Sequence, residues 1–367
     1  MSARQAATGG RGGLNNRLFS ALLSAMLVLF LATTVLVLSS NVWYLAQASD
    51  TEGKTGWEIF VAALRDPEVH FAIRLSFTSA FLTMLVSMLF AVPAAYVLSR
   101  YRPGAKDEIE VGLAAGTVAV LVLLLAAYLM GTGQARYPNP VARLVAILIA
   151  ILVPPLLYLF RRHLPHIWDT VLDLPIVVPP PVIGMSLLMF FLTPAGQAMN
   201  RLTPLPLVKV LNAFLSLATG HEVVDDGSSW VYTTRGIVMA QFFVACAFGV
   251  RAVKATFDTI GTRHEAVART LGCTRRQAFF KVVLPMAASG LVAGGVMTWA
   301  RAIAEFGPVL FFAGSTRWKT EVMPIGMFLM YSSGEIEKAV ALVIIMIAIS
   351  AVTLLTFKKL GGKGYLW

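Results

Sequence analysis

The sequence has 367 residues, of which 57% are hydrophobic and 13% charged, and its mean hydropathy is +0.74. A chain this apolar cannot solvate its own surface, which excludes a soluble globular domain and points to an α-helical membrane protein. The net charge of +11 sits at the ends of apolar segments rather than in one basic block, so it reads as a topology signal and not as a nucleic-acid footprint.

In chain order, apolar segments fall at 18–45, 72–98, 111–131, 141–160, 174–193, 236–256, 286–314 and 337–357. Each is long enough to cross a hydrocarbon core of about 30 Å as a helix, so the expected fold is an all-α polytopic bundle of about eight spans. If the N-terminus is cytoplasmic, the inside loops hold Arg4, Arg11 and Arg17, then Arg100, Arg102 and Lys106, then Arg161 and Arg162, then the run Arg251 to Lys281, and finally Lys358, Lys359 and Lys363. That asymmetry predicts both termini on the cytoplasmic side of a cell inner membrane. Ala46-Gln47-Ala48 offers a small-residue cleavage site, but the apolar stretch before it is longer than a signal peptide's. Residues 104–160 read as an inserted helical hairpin whose second helix Pro154-Pro155 should kink. Residues 194–235, with Pro194, Pro204, Pro206 and the turn-like Asp225-Asp226-Gly227, read as a polar outside loop.

The most informative stretch is Gly261 to Pro285, GTRHEAVARTLGCTRRQAFFKVVLP, basic yet regularly patterned. Thr262 and Glu265 have capping-box spacing, so a short helix can begin there. Val267 and Leu271 lie four apart on one face. Gly272 permits the left-handed residue that closes such a helix, and from Arg275 a second helix restarts with Phe279, Val282 and Val283 available for packing. By themselves these residues also fit an amphipathic helix lying on the membrane or a capped loop.

This stretch resembles the signature loop of permease subunits of ABC importers, through Glu265, Ala266, Ala268, Gly272, Leu284 and Pro285. The resemblance implies that Glu265 to Gly272, including Leu271, is a coupling helix docking on a cytoplasmic ATPase subunit. It also implies that ATP and magnesium are held by that partner, that an extracytoplasmic binding protein delivers the substrate, and that a second permease protomer, identical or different, completes the pathway. Further segments are similar to the molybdate, tungstate and sulfate permeases. They are Arg74-Leu-Ser, Ala94 to Arg100, Leu174 to Pro180, Gly236 to Gln241, Val250-Arg251, Ala300 to Gly307, Phe312-Ala-Gly314 and Thr320 to Pro324. The implied substrate is an oxyanion, molybdate first, with sulfate and tungstate as alternatives and a secondary transporter as the more remote one. The implied organisation is an N-terminal helix and outside loop at 1–67, a first part of the permease core at 68–102, the inserted hairpin at 103–165, the remaining core at 166–360 with its coupling loop at 258–285, and a tail at 361–367.

Arg301 and Glu305 sit four apart in an apolar segment, where unpaired charge is costly. Two readings stand: an ion pair on the anion path, with Arg301 favouring entry and Glu305 limiting retention, or a structural pair that fixes helix packing. Phe306, Gly307 and Pro308 suggest a local break, and Pro179, Pro180 and Pro181 should interrupt the start of their span. By resemblance these are gate or hinge candidates. Gly290 and Gly294 have the spacing that lets helices approach closely, with a dimer interface as one place for it. The His163-x-x-His166 pair and Cys246 and Cys273 make no metal-ligand pattern. A G-x-x-x-x-G-K-[ST] phosphate loop is lacking, so no ATPase site is expected in this chain; without a Ser-His-Asp candidate, an H-E-x-x-H or clustered carboxylates in the spans beyond Glu305, a transport subunit rather than an enzyme is expected.

Overall fold

The computed structural model describes residues 3–48, 55–100, 164–202, 205–220 and 229–360. In chain order its helices are α1 (Ala3–Gln47), α2 (Gly56–Arg65), α3 (Pro67–Arg100), α4 (Leu164–Val177), α5 (Pro180–Leu192), α6 (Pro194–Leu202), α7 (Leu205–Thr219), α8 (Thr234–Ile260), α9 (Arg263–Thr270), α10 (Arg275–Ala278), α11 (Leu284–Ile303), α12 (Gly307–Phe312), α13 (Met323–Ser332) and α14 (Ile336–Leu360). A π turn, Phe279–Val283, joins α10 to α11.

Five of the described helical runs are long and apolar enough to cross a membrane: Phe19–Gln47, Pro67–Arg100, Thr234–Ile260, Arg275–Ile303 and Ile336–Leu355. A sixth arises if the bent pair Thr170–Val177 and Pro180–Leu192 is one span. The fold is thus the expected helical membrane bundle. The expected spans at 111–131 and 141–160, with Pro154, Pro155 and His163, lie outside the described residues.

The chain divides into two compact units. The first joins Met1–Arg65 to Met330–Ile349. Its core is Leu45, Ile59, Ala63 and Ala341, with Phe60, Val340 and Ile344 around it. Within α1 the Thr33 and Thr34 hydroxyls both donate to the Phe30 carbonyl, Ser39 donates to Leu36, and Ser40 to Val37. Within the apolar run Phe19–Gln47 these four hydroxyls are therefore satisfied by the helix's own backbone, as a lipid-facing helix requires.

The second unit, Asp66–Leu329 with Ser350–Trp367, is built on α3, α8 and α11. These helices can pack closely because small residues line their contacts. A Cβ added at Gly290 of α11 would lie 2.3 Å from the Thr256 side chain of α8, and one at Gly294 would lie 3.0 Å from Val253 Cγ2. The G-x-x-x-G face therefore packs within the protomer. Polar side chains bridge the same seam: Thr83 donates to Gln241 Oε1 at 2.9 Å, and Gln241 Nε2 to Ser79 Oγ at 3.4 Å.

Part of the 194–235 stretch, expected as a polar loop, is helical. Val208 and Leu215 of α7 are buried and Leu211 packs beside them, a stripe at helical spacing that holds α7 against α3. The turn at Asp225-Asp226-Gly227 lies outside the described residues.

The two glycine contacts differ in tightness, and that difference is measurable. Gly290→Ala should lower the thermal midpoint of the detergent-solubilised protein by the equivalent of about 1–3 kcal/mol, because the Thr256 side chain must move. Gly294→Ala, facing a methyl that can yield, should cost clearly less in the same melt.

Candidate functional site

The first cluster surrounds α9. After α8 the chain turns at Gly261, which has φ +66, and α9 runs over Arg263–Thr270. The expected capping box does not form: Thr262 makes no side-chain capping bond, and Glu265 points elsewhere. Its carboxylate accepts from Tyr96 Oη at 2.7 Å and from Arg100 Nε at 3.2 Å. Arg100 also donates to the Phe257 carbonyl at 3.1 Å and to Ser99 Oγ at 3.2 Å. Glu265 and Arg100 are each only 7% exposed, so the box loses its carboxylate to a buried cation that would otherwise lack a counter-charge. A capping box forms instead at the start of the next helix, between Thr274 and Gln277.

Gly272 closes α9 as expected. It has φ +89, its N–H bonds to the Arg269 carbonyl, and the Cys273 N–H reaches Ala268, a Schellman ending. Ala268 is buried, whereas Ala266, Val267 and Leu271 face outward, the last 80% exposed. Beyond α10, Pro285 has no N–H with which to continue the α pattern. Just before it the chain widens into the π turn, with the Leu284 N–H bonded to the Phe279 carbonyl. Phe279 packs edge-on to Tyr96, with ring centroids 4.6 Å apart.

The second cluster is made of two broken helices. Between Thr170–Val177 and Pro180–Leu192 the axis bends by 111° at Pro179, where backbone φ −53 and ψ 130 leave the helical region. α11 ends at Ile303, and the chain becomes helical again only at Gly307. The two breaks interlock. A Cβ on Gly307 would stand 2.7 Å from Pro181 Cγ, and one on Gly184 would stand 2.6 Å from Pro308 Cα. Each glycine thus receives the other segment's proline.

Arg301 and Glu305 lie at the end of α11, immediately before this interlock. Glu305 is 1% exposed and pairs with the Arg301 guanidinium, which also lies over the Phe248 ring, 5.5 Å from its centroid. Phe306 packs against Phe328, centroids 5.6 Å apart. The structure therefore brings Pro179, Pro180, Arg301, Glu305, Phe306 and Gly307 into one region. It keeps Glu265 apart from them: neighbouring Ala302 packs beside Ala80 of α3, whereas Glu265 meets Tyr96, about 24 Å further along the same helix.

Residues 144–361 match the family described as the binding-protein-dependent transport system inner membrane component. The chain belongs to this family. Among curated relatives, the molybdate/tungstate transport system permease protein WtpB of Thermococcus kodakarensis is 29% identical over 296 residues, 81% of this chain and 77% of that one. The molybdenum transport system permease protein ModB of Escherichia coli is 31% identical over 189 residues, 51% of this chain and 73% of the relative. The sulfate transport system permease protein CysT of Salmonella typhimurium is 31% identical over 195 residues, 53% of this chain. The match spans 62% of the CysT length.

Within this family member, sequence reasoning missed Tyr96 and Arg100 as partners of Glu265. It also missed the loop between α12 and α13. There Trp318 adopts φ +62 and donates its backbone N–H to Glu321 Oε2 at 3.1 Å. Thr320 Oγ1 accepts from the Thr316 N–H and donates to the Gly314 carbonyl, both at 3.0 Å. Arg317 pairs with Glu68 at 3.2 Å. Glu321 is fully buried, and burial, with the Glu68 carboxylate nearby, pushes its carboxyl up to about 8. The polar stretch Ser315 to Glu321, STRWKTE, set between apolar runs was the available signal.

The folded protein holds the Glu321 proton more tightly than the unfolded chain does. The stability contributed by this group is thus full below about 4.5 and lost as pH rises through about 8. Glu321→Gln should flatten the fall of the thermal midpoint between about pH 4.5 and 8, and leave the variant the more stable protein at about pH 9. Separately, Gly184→Ala and Gly307→Ala should each lower the midpoint by the equivalent of about 1–3 kcal/mol, since the opposing atoms belong to proline rings or backbone and cannot rotate away.

Proposed function

We propose that this chain is the membrane-spanning permease of an ATP-driven, binding-protein-dependent importer of a tetrahedral oxyanion, molybdate in the first place. The observation that carries the reading is α9: a short helix closed by a Schellman turn, with Val267 and Leu271 turned outward and its C-terminal side running through α10 into the apolar span Arg275–Ile303. Exposed apolar side chains on a rigid helix at the end of a span suit docking into a protein groove. The partner in this reading is a cytoplasmic ATPase pair carrying ATP and magnesium. Family membership supports that assignment, and the Lys and Arg of the inside loops support N- and C-termini on the same, cytoplasmic side. A second permease protomer and an extracytoplasmic binding protein complete the complex.

In this reading ATP-driven closure of the ATPase subunits moves α9, and the α11 span and its broken end respond. The interlocked breaks at Pro179–Pro181 and Ala304–Pro308 act as the gate, where irregular backbone is tolerated because protein surrounds it. Arg301 attracts the anion to that region, and Glu305 partly neutralises it so that the anion is not retained. Molybdate is placed first because WtpB, aligned over 81% of this chain, is named for molybdate and tungstate, and ModB for molybdenum.

The test is ATP hydrolysis by the complex purified with its binding protein, with molybdate, tungstate, sulfate or no anion. Stimulation by molybdate is the expected result, and stimulation by sulfate alone would reassign the substrate. A permease that purifies without any ATPase would overturn the reading in favour of a secondary transporter. In the same assay Arg301→Ala and Glu305→Gln should each lower transport about tenfold or more with assembly intact. Normal transport by both variants would return the pair to a packing role.

A further inference from the structure

Glu265 stands at the start of the segment proposed to meet the ATPase, yet its side chain faces away from any partner. It is held between Tyr96 Oη and Arg100 Nε on α3, and is only 7% exposed. Arg100 is anchored in turn to the Phe257 carbonyl near the end of α8. Tyr96 is wedged between Phe257 and Phe279, with ring centroids at 5.7 Å and 4.6 Å. One carboxylate therefore ties α9 to α3, α8 and the π turn together.

α3 continues from this point without a break over Pro67–Arg100, although Pro93 lies inside it. About 30 Å from Tyr96, the Ser76 hydroxyl accepts the Met323 N–H at 2.7 Å. Further toward the same end Glu68 pairs with Arg317. Both contacts are with the segment that follows α12, the short helix of the interlocked break. α3 thus has α9 fastened to one end and the chain beyond that break fastened to the other.

We propose that Glu265, Arg100 and Tyr96 form a latch through which α9 drives α3 as a second lever, alongside its covalent route through α10 into α11. Glu265 is a positioning residue in this scheme and does not touch the ATPase. Val267, Leu271 and the exposed basic side chains of α9 are left to make that contact. A helix tethered only through the flexible glycines Gly261 and Gly272 could tilt under load without moving the spans. The buried ion pair removes that freedom, because separating it would leave two charges without counter-charge in a low-dielectric setting.

The proposal rests on the importer reading, and two measurements separate the fates of the two. In proteoliposomes holding the full complex, Glu265→Gln and Arg100→Met should keep ATPase subunits bound at the wild-type ratio and still hydrolyse ATP. They should move at least about fivefold less molybdate, or sulfate if that is the anion accumulated, per ATP. The exchanged pair Glu265→Arg with Arg100→Glu should recover at least about half of the lost coupling, a rescue that general destabilisation would not give. Unchanged transport per ATP in the single variants would overturn the latch. So would loss of ATPase binding that the exchanged pair fails to restore, since Glu265 would then be the contact itself. The second measurement uses the permease alone. Hydrogen exchange at the α9 amides should be about tenfold faster in Glu265→Gln than in the wild type. Equal rates would sink the latch whatever the partner proves to be. A wild-type chain without any ATPase would end the importer reading and with it the lever, even where the exchange difference is seen.

Discussion

In hydrocarbon a polar group has no water to fall back on, and every buried donor, acceptor or charge must be satisfied by the protein itself. Much of this structure follows from that constraint. The hydroxyls of Thr33, Thr34, Ser39 and Ser40 in the apolar run Phe19–Gln47 turn back onto their own helix. In the second unit the same need is met between helices, where Thr83, Gln241 and Ser79 satisfy one another across the α3–α8 seam. Apolar side chains contribute packing there but little direction, since lipid tails are as apolar as they are. Hydrogen bonds of this kind, with glycines that admit close approach, fix which helix faces which.

The constraint also explains how broken helices persist. A proline within a span deletes a donor and leaves a carbonyl exposed, a defect that would be expensive against lipid. Here the defect at Pro179–Pro181 is set against the defect at Ala304–Pro308, each glycine receiving the other's proline. Two interruptions that would be costly singly form one compact contact, and neither backbone need face lipid there. The charged pair Arg301–Glu305 sits on the shoulder of this contact, so charge and irregular backbone share one region.

Much of the architecture was legible in the sequence because its signals are long and periodic. The described spans fall where apolar runs predict them, the break near Phe306 and Gly307 follows from local chemistry, and Gly272 adopts the left-handed conformation its place after Leu271 suggests. What could not be read was partner choice over long separations. Thr262 and Glu265 have the spacing of a capping box, but spacing cannot reveal that Arg100, 165 residues earlier, competes for the carboxylate and wins. Arg100 itself reads as one more basic residue closing a span, a topology signal. α7 was hidden for a different reason: Pro204, Pro206 and the acidic turn outweighed a short apolar stripe of Val208, Leu211 and Leu215.

The position of Glu265 bears on what a signature motif records. Its match to the family's pattern invites the reading that each residue in the motif touches the partner subunit. In this chain the motif divides into two faces. Ala268 and Glu265 turn inward, one by packing and one by charge, while Ala266, Val267 and Leu271 turn outward. If α9 is the coupling helix of the importer proposed above, a helix of two turns cannot transmit force while loose on its own protein, however well its outer face is bound. The inward face must be specified as strictly as the outer one. A buried carboxylate bonded to both an arginine and a tyrosine specifies it more sharply than apolar packing could, because a shift of an ångström or two costs the charge its partners.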